Sequence, residues 1–158
     1  MLKLPIYILA ITLSLYGESR SLPSIGWIEN ASVTLTDLNG KKRIVPLEAK
    51  VDTGAETSSL HASPIKIIKK NGKDFVRFGF SWGKEKHEFE ALVQKKKNVK
   101  SSSGESVKRA FIEIEACIGG VKHPLLISLN DRSKMLYPLL LGRHFLEGRF
   151  LVDSGSQF

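Results

Sequence analysis

Cysteine is almost absent from this 158-residue chain. Cys117 stands alone, so no disulfide can form within the chain and the fold must stand on its core and on any partner subunit. Flanked by Ala116 and Ile118, it reads as a packed thiol rather than a nucleophile. Long apolar runs are lacking too: the uncharged stretch Leu4 to Tyr16 falls short of the about 20 residues that a membrane-spanning helix needs. Helix signals are scarce, and only Arg143 to Gly148 reads as one, a turn or two stopped by Gly148. There is no His-Glu-x-x-His. The four histidines, His61, His87, His123 and His144, are scattered, so no metal or other cofactor is expected.

Acidic residues are in the minority, 16 against 24 Lys and Arg, for a net charge of +8. The excess sits in Lys41-Lys42-Arg43, Lys69-Lys70 and Lys95-Lys96-Lys97. Such runs can bind nucleic acid. No stacking-aromatic pattern or helix-turn-helix signal accompanies them, so they read as solvated turns, and nucleic acid is not an expected partner.

What the chain does have begins with Met1-Leu2-Lys3, a short positive start. The apolar stretch to Tyr16 follows, then the small and polar Gly17-Glu18-Ser19-Arg20-Ser21. That layout reads residues 1–21 as a secretory signal peptide, cut after Ser19 or Ser21, or else retained as an N-terminal anchor. Residues 22–158 then form one domain, with 42% hydrophobic and 25% charged residues in the whole chain, ordinary globular values.

Most of that domain reads as short strands joined by turns. Ala31 to Thr36 alternates polar with apolar residues, Asn39-Gly40 supplies a turn, and Lys42 to Leu47 returns, so residues 31–47 read as a hairpin. Asn71-Gly72 leads into Lys73 to Phe80. Ser81 to Lys84 turns the chain into a strand at His87 to Val93. A polar tip, Ser101-Ser102-Ser103-Gly104-Glu105-Ser106, precedes the strand Arg109 to Ile118, and Gly119-Gly120 turns into Val121 to Leu129. The expectation is an antiparallel all-β domain of roughly eight strands.

The informative stretch is Ala49-Lys50-Val51-Asp52-Thr53-Gly54-Ala55. It ends a strand with a carboxylate and turns at once, offering the Gly54 main chain and the Thr53 hydroxyl to hold that carboxylate. Two such carboxylates facing each other share one proton, because like charges about 3 Å apart cannot both ionise. One then serves as base on a water and the other as acid. Alone, Asp-Thr-Gly reads rather as a β-turn in which Asp52 bonds backbone amides, and the context changes that.

Together with Pro138-Leu139-Leu140-Leu141-Gly142-Arg143, the stretch resembles retroviral aspartic proteases. Ala49 to Ala62, Val99 to Gly104, and Asp131-Arg132-Ser133-Lys134-Met135 followed by Tyr137 to Arg143 resemble a bacterial retropepsin-like aspartic protease family. That family is often labelled an ATP-dependent zinc protease and is associated with ATP-grasp glutamate-ligase-type proteins. The resemblance implies an all-β, antiparallel closed barrel of the acid-protease type with one short C-terminal helix. It implies peptide-bond hydrolysis with Asp52, Thr53 and Gly54 at the catalytic centre. Ala55 and a flap of Ser101, Ser102, Ser103 and Gly104 would contact substrate. Glu56 would pair with Arg143, and Gly142 and Arg143 would support the loop. Residues 62–95 look like an inserted hairpin relative to viral enzymes.

Catalysis needs a second aspartate. Val152-Asp153-Ser154-Gly155 reads as a strand end and tail rather than a second catalytic motif, so a homodimer is expected. The candidate interface strands are those around Trp27-Ile28 and Phe150-Leu151-Val152, with plain core as the alternative reading. Three readings follow: an exported, periplasmic or membrane-anchored endopeptidase acting on peptides or proteins; a catalytically weak peptide-binding or accessory module beside an ATP-grasp or membrane partner; and a basic nucleic-acid binder.

Overall fold

The computed structural model describes residues 21–82, 85–100 and 104–157, with Trp82 described in its main chain only. The signal-peptide reading of residues 1–21, Ser21 apart, and the flap residues Ser101, Ser102 and Ser103 therefore lie outside the described residues. The strands are β1 (Ser24–Ile25), β2 (Ile28–Thr36), β3 (Lys42–Val51), β4 (Ser58–His61), β5 (Ile65–Lys70), β6 (Lys73–Trp82), β7 (Glu85–Leu92), β8 (Lys95–Lys100), β9 (Ser106–Ile118), β10 (Val121–Asn130), β11 (Leu139–Leu141) and β12 (Leu151–Val152). The helix α1 is Arg143–Leu146.

The alternation read from the sequence places Ala31, Val33 and Leu35 of β2 inside, between more exposed neighbours. The turn signals hold as well: Gly40, Asn71 and Gly72 all take positive φ, the conformation that glycine and asparagine adopt most readily. Pairing runs β10-β4-β11-β3-β2-β9, and β9 pairs back onto β10, which closes a six-stranded barrel. Closure removes the sheet edges.

The barrel is the all-β one expected, with its one short helix, but its pairing is mixed rather than purely antiparallel. β10 pairs with β4, and β11 with β3, in parallel. The physical reason is that β11 inserts between β3 and β4, two strands that leave the same loop in opposite directions, so it must run parallel to one and antiparallel to the other. Leu139 and Leu141 are fully buried on one face of β11, and Leu140 on the other is half-buried.

The insertion at residues 62–95 is larger than a hairpin. β5, β6 and β7 form a separate three-stranded sheet, anchored where Phe89 bridges to Asp37. β9 outruns the barrel, and its first half pairs with β8 to make a projecting hairpin that extends to Lys100 and Ser106. The terminal strands β1 and β12 pair in parallel with each other within the chain.

Candidate active site

Asp52 follows the last residue of β3. Its amide donates to the Leu141 carbonyl at 3.0 Å, and the preceding Val51 amide donates to Trp27 O at 2.9 Å. The half-buried carboxylate is fixed by its own loop, with Oδ1 accepting from the amides of Gly54 at 2.9 Å and Ala55 at 3.2 Å. Thr53, expected to help through its hydroxyl, is exposed, and the main chain of Gly54 and Ala55 does this instead. Among the described residues these bonds all fall on Oδ1, which leaves Oδ2 to engage water or substrate. A Cβ on Gly54 would stand 3.1 Å from Oδ1 and crowd the carboxylate.

The register Leu141↔Val51 brings the residues after β11 to the same end as those after β3. Gly142 therefore crosses directly behind the loop, and a Cβ there would sit 2.6 Å from the Thr57 carbonyl carbon and 3.0 Å from Ala55 O. Helix α1 starts at this crossing without a side-chain cap. Two of its otherwise orphaned N–H groups are used on the loop: Arg143 donates to Ala55 O at 2.8 Å and His144 to Glu56 O at 3.2 Å. From above, the Arg143 guanidinium donates through Nη1 to Thr53 O at 3.0 Å and Gly54 O at 2.9 Å. Ser58 completes the support, its Oγ accepting the Gly142 amide at 3.1 Å.

The expected Glu56–Arg143 pair is not formed. Arg143 is committed to the loop carbonyls, and Glu56 instead meets Lys97 Nζ of β8 at 2.8 Å. The hydrogen bond from Lys97, followed by its charge, holds the Glu56 carboxyl below its ordinary range. Lys97 lies opposite Arg109 in the β8–β9 ladder, so the two side chains share a face. Gly104, with positive φ, borders Ser101–Ser103 on the far side of the same hairpin.

Sequence reasoning missed two arginines. Arg109 is partly buried, its Nε has no hydrogen-bond partner among the described residues, and burial holds its pKa down. Arg132 follows β10. Burial lowers its pKa, the Arg109 charge adds to that, and the Asp52 carboxylate opposes both. Arg132 thus feels the charges of both Arg109 and Asp52, and neither arginine has a carboxylate ion pair among the described residues. The Asp131-Arg132 motif was the available signal, but nothing in the one-dimensional pattern placed it near Asp52.

The remaining candidates lie apart. Asp153 is exposed and occupied by its own turn, accepting from the Gly155 amide at 2.9 Å and Ser156 Oγ at 2.6 Å. A cavity of about 370 Å³ between β2, β7 and β9 is lined by Asp37, Glu90 and Glu113 and includes no residue of the Asp52 loop. Trp27 and Leu151, at the paired termini, are 40% and 56% exposed.

Comparison with known proteins adds four findings. A family model described as "Retropepsin-like aspartic endopeptidase RimB" matches residues 25–158. A Shewanella pealeana protein named "Probable alpha-L-glutamate ligase" is 35% identical over 116 residues, covering 71% of this chain and 25% of that protein. A Parasynechococcus marenigrum protein of the same name is 32% identical over 117 residues, covering 68% of this chain and 24% of its own length. The chain thus spans about a quarter of the length of the curated relatives it matches. The crystal structure of a Legionella pneumophila protein of unknown function superposes with a TM-score of 0.68 at 29% identity, over 87% of this chain and 98% of that one.

Proposed function

We propose that this chain, which belongs to the RimB-like family of retropepsin-like aspartic endopeptidases, hydrolyses peptide bonds with Asp52 as its catalytic carboxylate. The observation that carries this reading is the Asp52 loop itself. It is a strand-end carboxylate pinned on one oxygen by two amides and braced from behind by Gly142 and from above by Arg143.

One chain supplies one such loop, so the reading includes a homodimer in which two Asp52 side chains share a proton. The ionised partner takes a proton from water, whose oxygen adds to the peptide carbonyl carbon. The protonated partner gives its proton to the carbonyl oxygen. Collapse of the resulting diol breaks the C–N bond as a proton passes to the leaving nitrogen. Thr53 and Gly54 frame the carboxylate, Ala55 forms the floor, and Ser101 to Gly104 close over an extended substrate that adds as a strand. The exposed Trp27 and Leu151 suit the subunit interface.

Arg109 and Arg132 point to a substrate with acidic side chains, since unneutralised guanidinium charges in a partly buried site favour carboxylates. Relatives named as glutamate ligases accord with a glutamate-containing peptide. Export to the periplasm, by the N-terminal segment, is part of the same reading.

A second reading has one supporting observation. The chain matches a quarter of those ligase-named proteins, which suits an accessory module that holds acidic peptides for an ATP-grasp or membrane partner without cutting them.

Cleavage of a mixed peptide library by the purified chain, from about pH 4 to 7.5, tests both readings. Cleavage that favours acidic peptides and disappears in Asp52→Asn is the expected result. Cleavage that survives Asp52→Asn refutes the mechanism. A folded, dimeric chain that binds acidic peptides but cuts none supports the accessory module.

A further inference from the structure

The Asp131-Arg132 segment that precedes β11 has an unusual anchor. The Arg132 amide donates to His61 Nδ1 at 2.9 Å. His61 is the last residue of β4, and its own amide donates to Pro138 O at 2.7 Å, while the next amide, Ala62, donates to Asn130 O at 2.9 Å. The end of β4 is therefore stitched to both ends of the 131–138 loop through main chain, and to its second residue, Arg132, through the imidazole. Within the loop, Arg132 O accepts from Met135 N at 2.8 Å and Arg132 Nε donates to Tyr137 O at 3.2 Å. Main chain and side chain of Arg132 are thus both fixed, and its terminal nitrogens remain for a ligand.

A ring nitrogen that accepts an N–H must be unprotonated, so this arrangement needs the neutral imidazole. Asp131 Oδ1 lies 3.7 Å from the same Nδ1. That is too long for a hydrogen bond, and the lone pair is already engaged by Arg132, so the two do not form an ion pair in this state. Protonation reverses the preference: Nδ1–H would confront the Arg132 N–H donor to donor, and Asp131 would become its nearest acceptor. Among the described residues the charged groups facing the ring are Asp131 and, through its main chain, Arg132. Phe80 of β6, 6.1 Å away between ring centres, and Pro138 bring no charge.

We propose that His61 is the positioning residue for Arg132, so that recognition of an acidic substrate beside Asp52 requires neutral His61 and weakens when His61 is protonated. The proposal rests on the reading that Arg132 receives a substrate carboxylate, and it does not depend on hydrolysis.

The test is equilibrium binding of a tetraglutamate peptide, and of its tetraglutamine counterpart, to the full chain carrying Asp52→Asn. Binding is compared across about pH 5 to 8, where an imidazole changes charge. Asn Oδ1 can replace Nδ1 as the acceptor without titrating, whereas Phe keeps the ring against Phe80 and removes the acceptor. His61→Phe is expected to weaken tetraglutamate binding roughly tenfold relative to tetraglutamine. His61→Asn is expected to restore it and to flatten its pH dependence. Thermal melts report whether each variant is folded, a property that a merely structural role would move for both peptides alike. Equal effects on the two peptides, a His61→Asn variant as weak as His61→Phe, or no tetraglutamate binding at any pH overturns the proposal. Binding that behaves as expected, when the chain with Asp52 intact cuts no peptide, would refute the hydrolytic function and leave this inference standing.

Discussion

Gly142→Ala isolates the contact on which the Asp52 loop depends. Gly142 sits at φ −95 and ψ 172, a conformation open to alanine, so backbone preference contributes nothing to its cost. The added methyl carbon would stand 2.6 Å from the Thr57 carbonyl carbon, 2.7 Å from its oxygen and 3.0 Å from Ala55 O. All three are main-chain atoms that cannot rotate aside. Overpacking of this kind costs about 1–3 kcal/mol or more, which in a domain of this size lowers the thermal midpoint by roughly 3–10 °C. The displaced residue, Ala55, donates to Asp52 Oδ1, so the strain is passed to the carboxylate. A misplacement well under 1 Å there should lower kcat by tenfold or more. Gly120→Ala is the control: its φ is +77 with nothing within 4 Å, so it pays only for the left-handed backbone, about 1–2 kcal/mol. It should leave kcat/KM unchanged. Calorimetric melts and peptide cleavage measured on both variants decide the matter. A Gly142→Ala protein with wild-type melting and activity, or one less impaired than Gly120→Ala, would refute the crossing of Gly142 behind the loop.

Other perturbations separate charge from packing. Arg109→Met should raise KM for acidic peptides more than for neutral ones without lowering the thermal midpoint, because it relieves the repulsion with Arg132. A fall in stability with no change in KM would contradict that reading. Glu56→Gln removes the tie to Lys97. Because the Glu56 pKa is lowered from 4.5, the tie contributes above pH 4.5 and is lost as pH falls through the lowered value. Hydrogen exchange in β8 should therefore differ between wild type and variant at neutral pH and converge in acid. His123 packs edge-on against Phe145 and Phe150, and burial, then the Arg149 charge, lowers its pKa from 6.5. The unfolded chain takes up that proton more readily, so stability should fall as pH drops below 6.5. His123→Phe should remove that part of the pH dependence of the melting temperature.

Local chemistry made the turns and the Asp52 loop legible in sequence. Asn39-Gly40 and Asn71-Gly72 carry their conformation in their own residues, and Asp52-Thr53-Gly54 with Gly142-Arg143 form compact motifs. What sequence did not reveal depends on register. The side chain that meets Glu56 is fixed by which residue of β8 reaches it from 41 positions away. That residue is Lys97, and not Arg143 as the motif implied. The lysine run Lys95 to Lys97 read as solvated charge, yet each member has its own partner: the Phe111 ring, Asp74 and Glu56, respectively. Likewise, β11 is three residues long and apolar throughout, so no periodicity could announce that it enters the sheet parallel to β3.

That parallel entry also bears on how the protein comes into being. Val51 and Leu141 are ladder partners although 90 positions separate them, and Gly142, Arg143 and the start of α1 are what brace the Asp52 loop. A ribosome-bound chain that has not yet emerged beyond residue 138 carries its aspartate with none of those braces. Contacts of such high sequence separation form late and slowly. Asp52 is thus made about 90 residues before the segment that orders it, so a chain still lacking that segment holds the carboxylate without its braces.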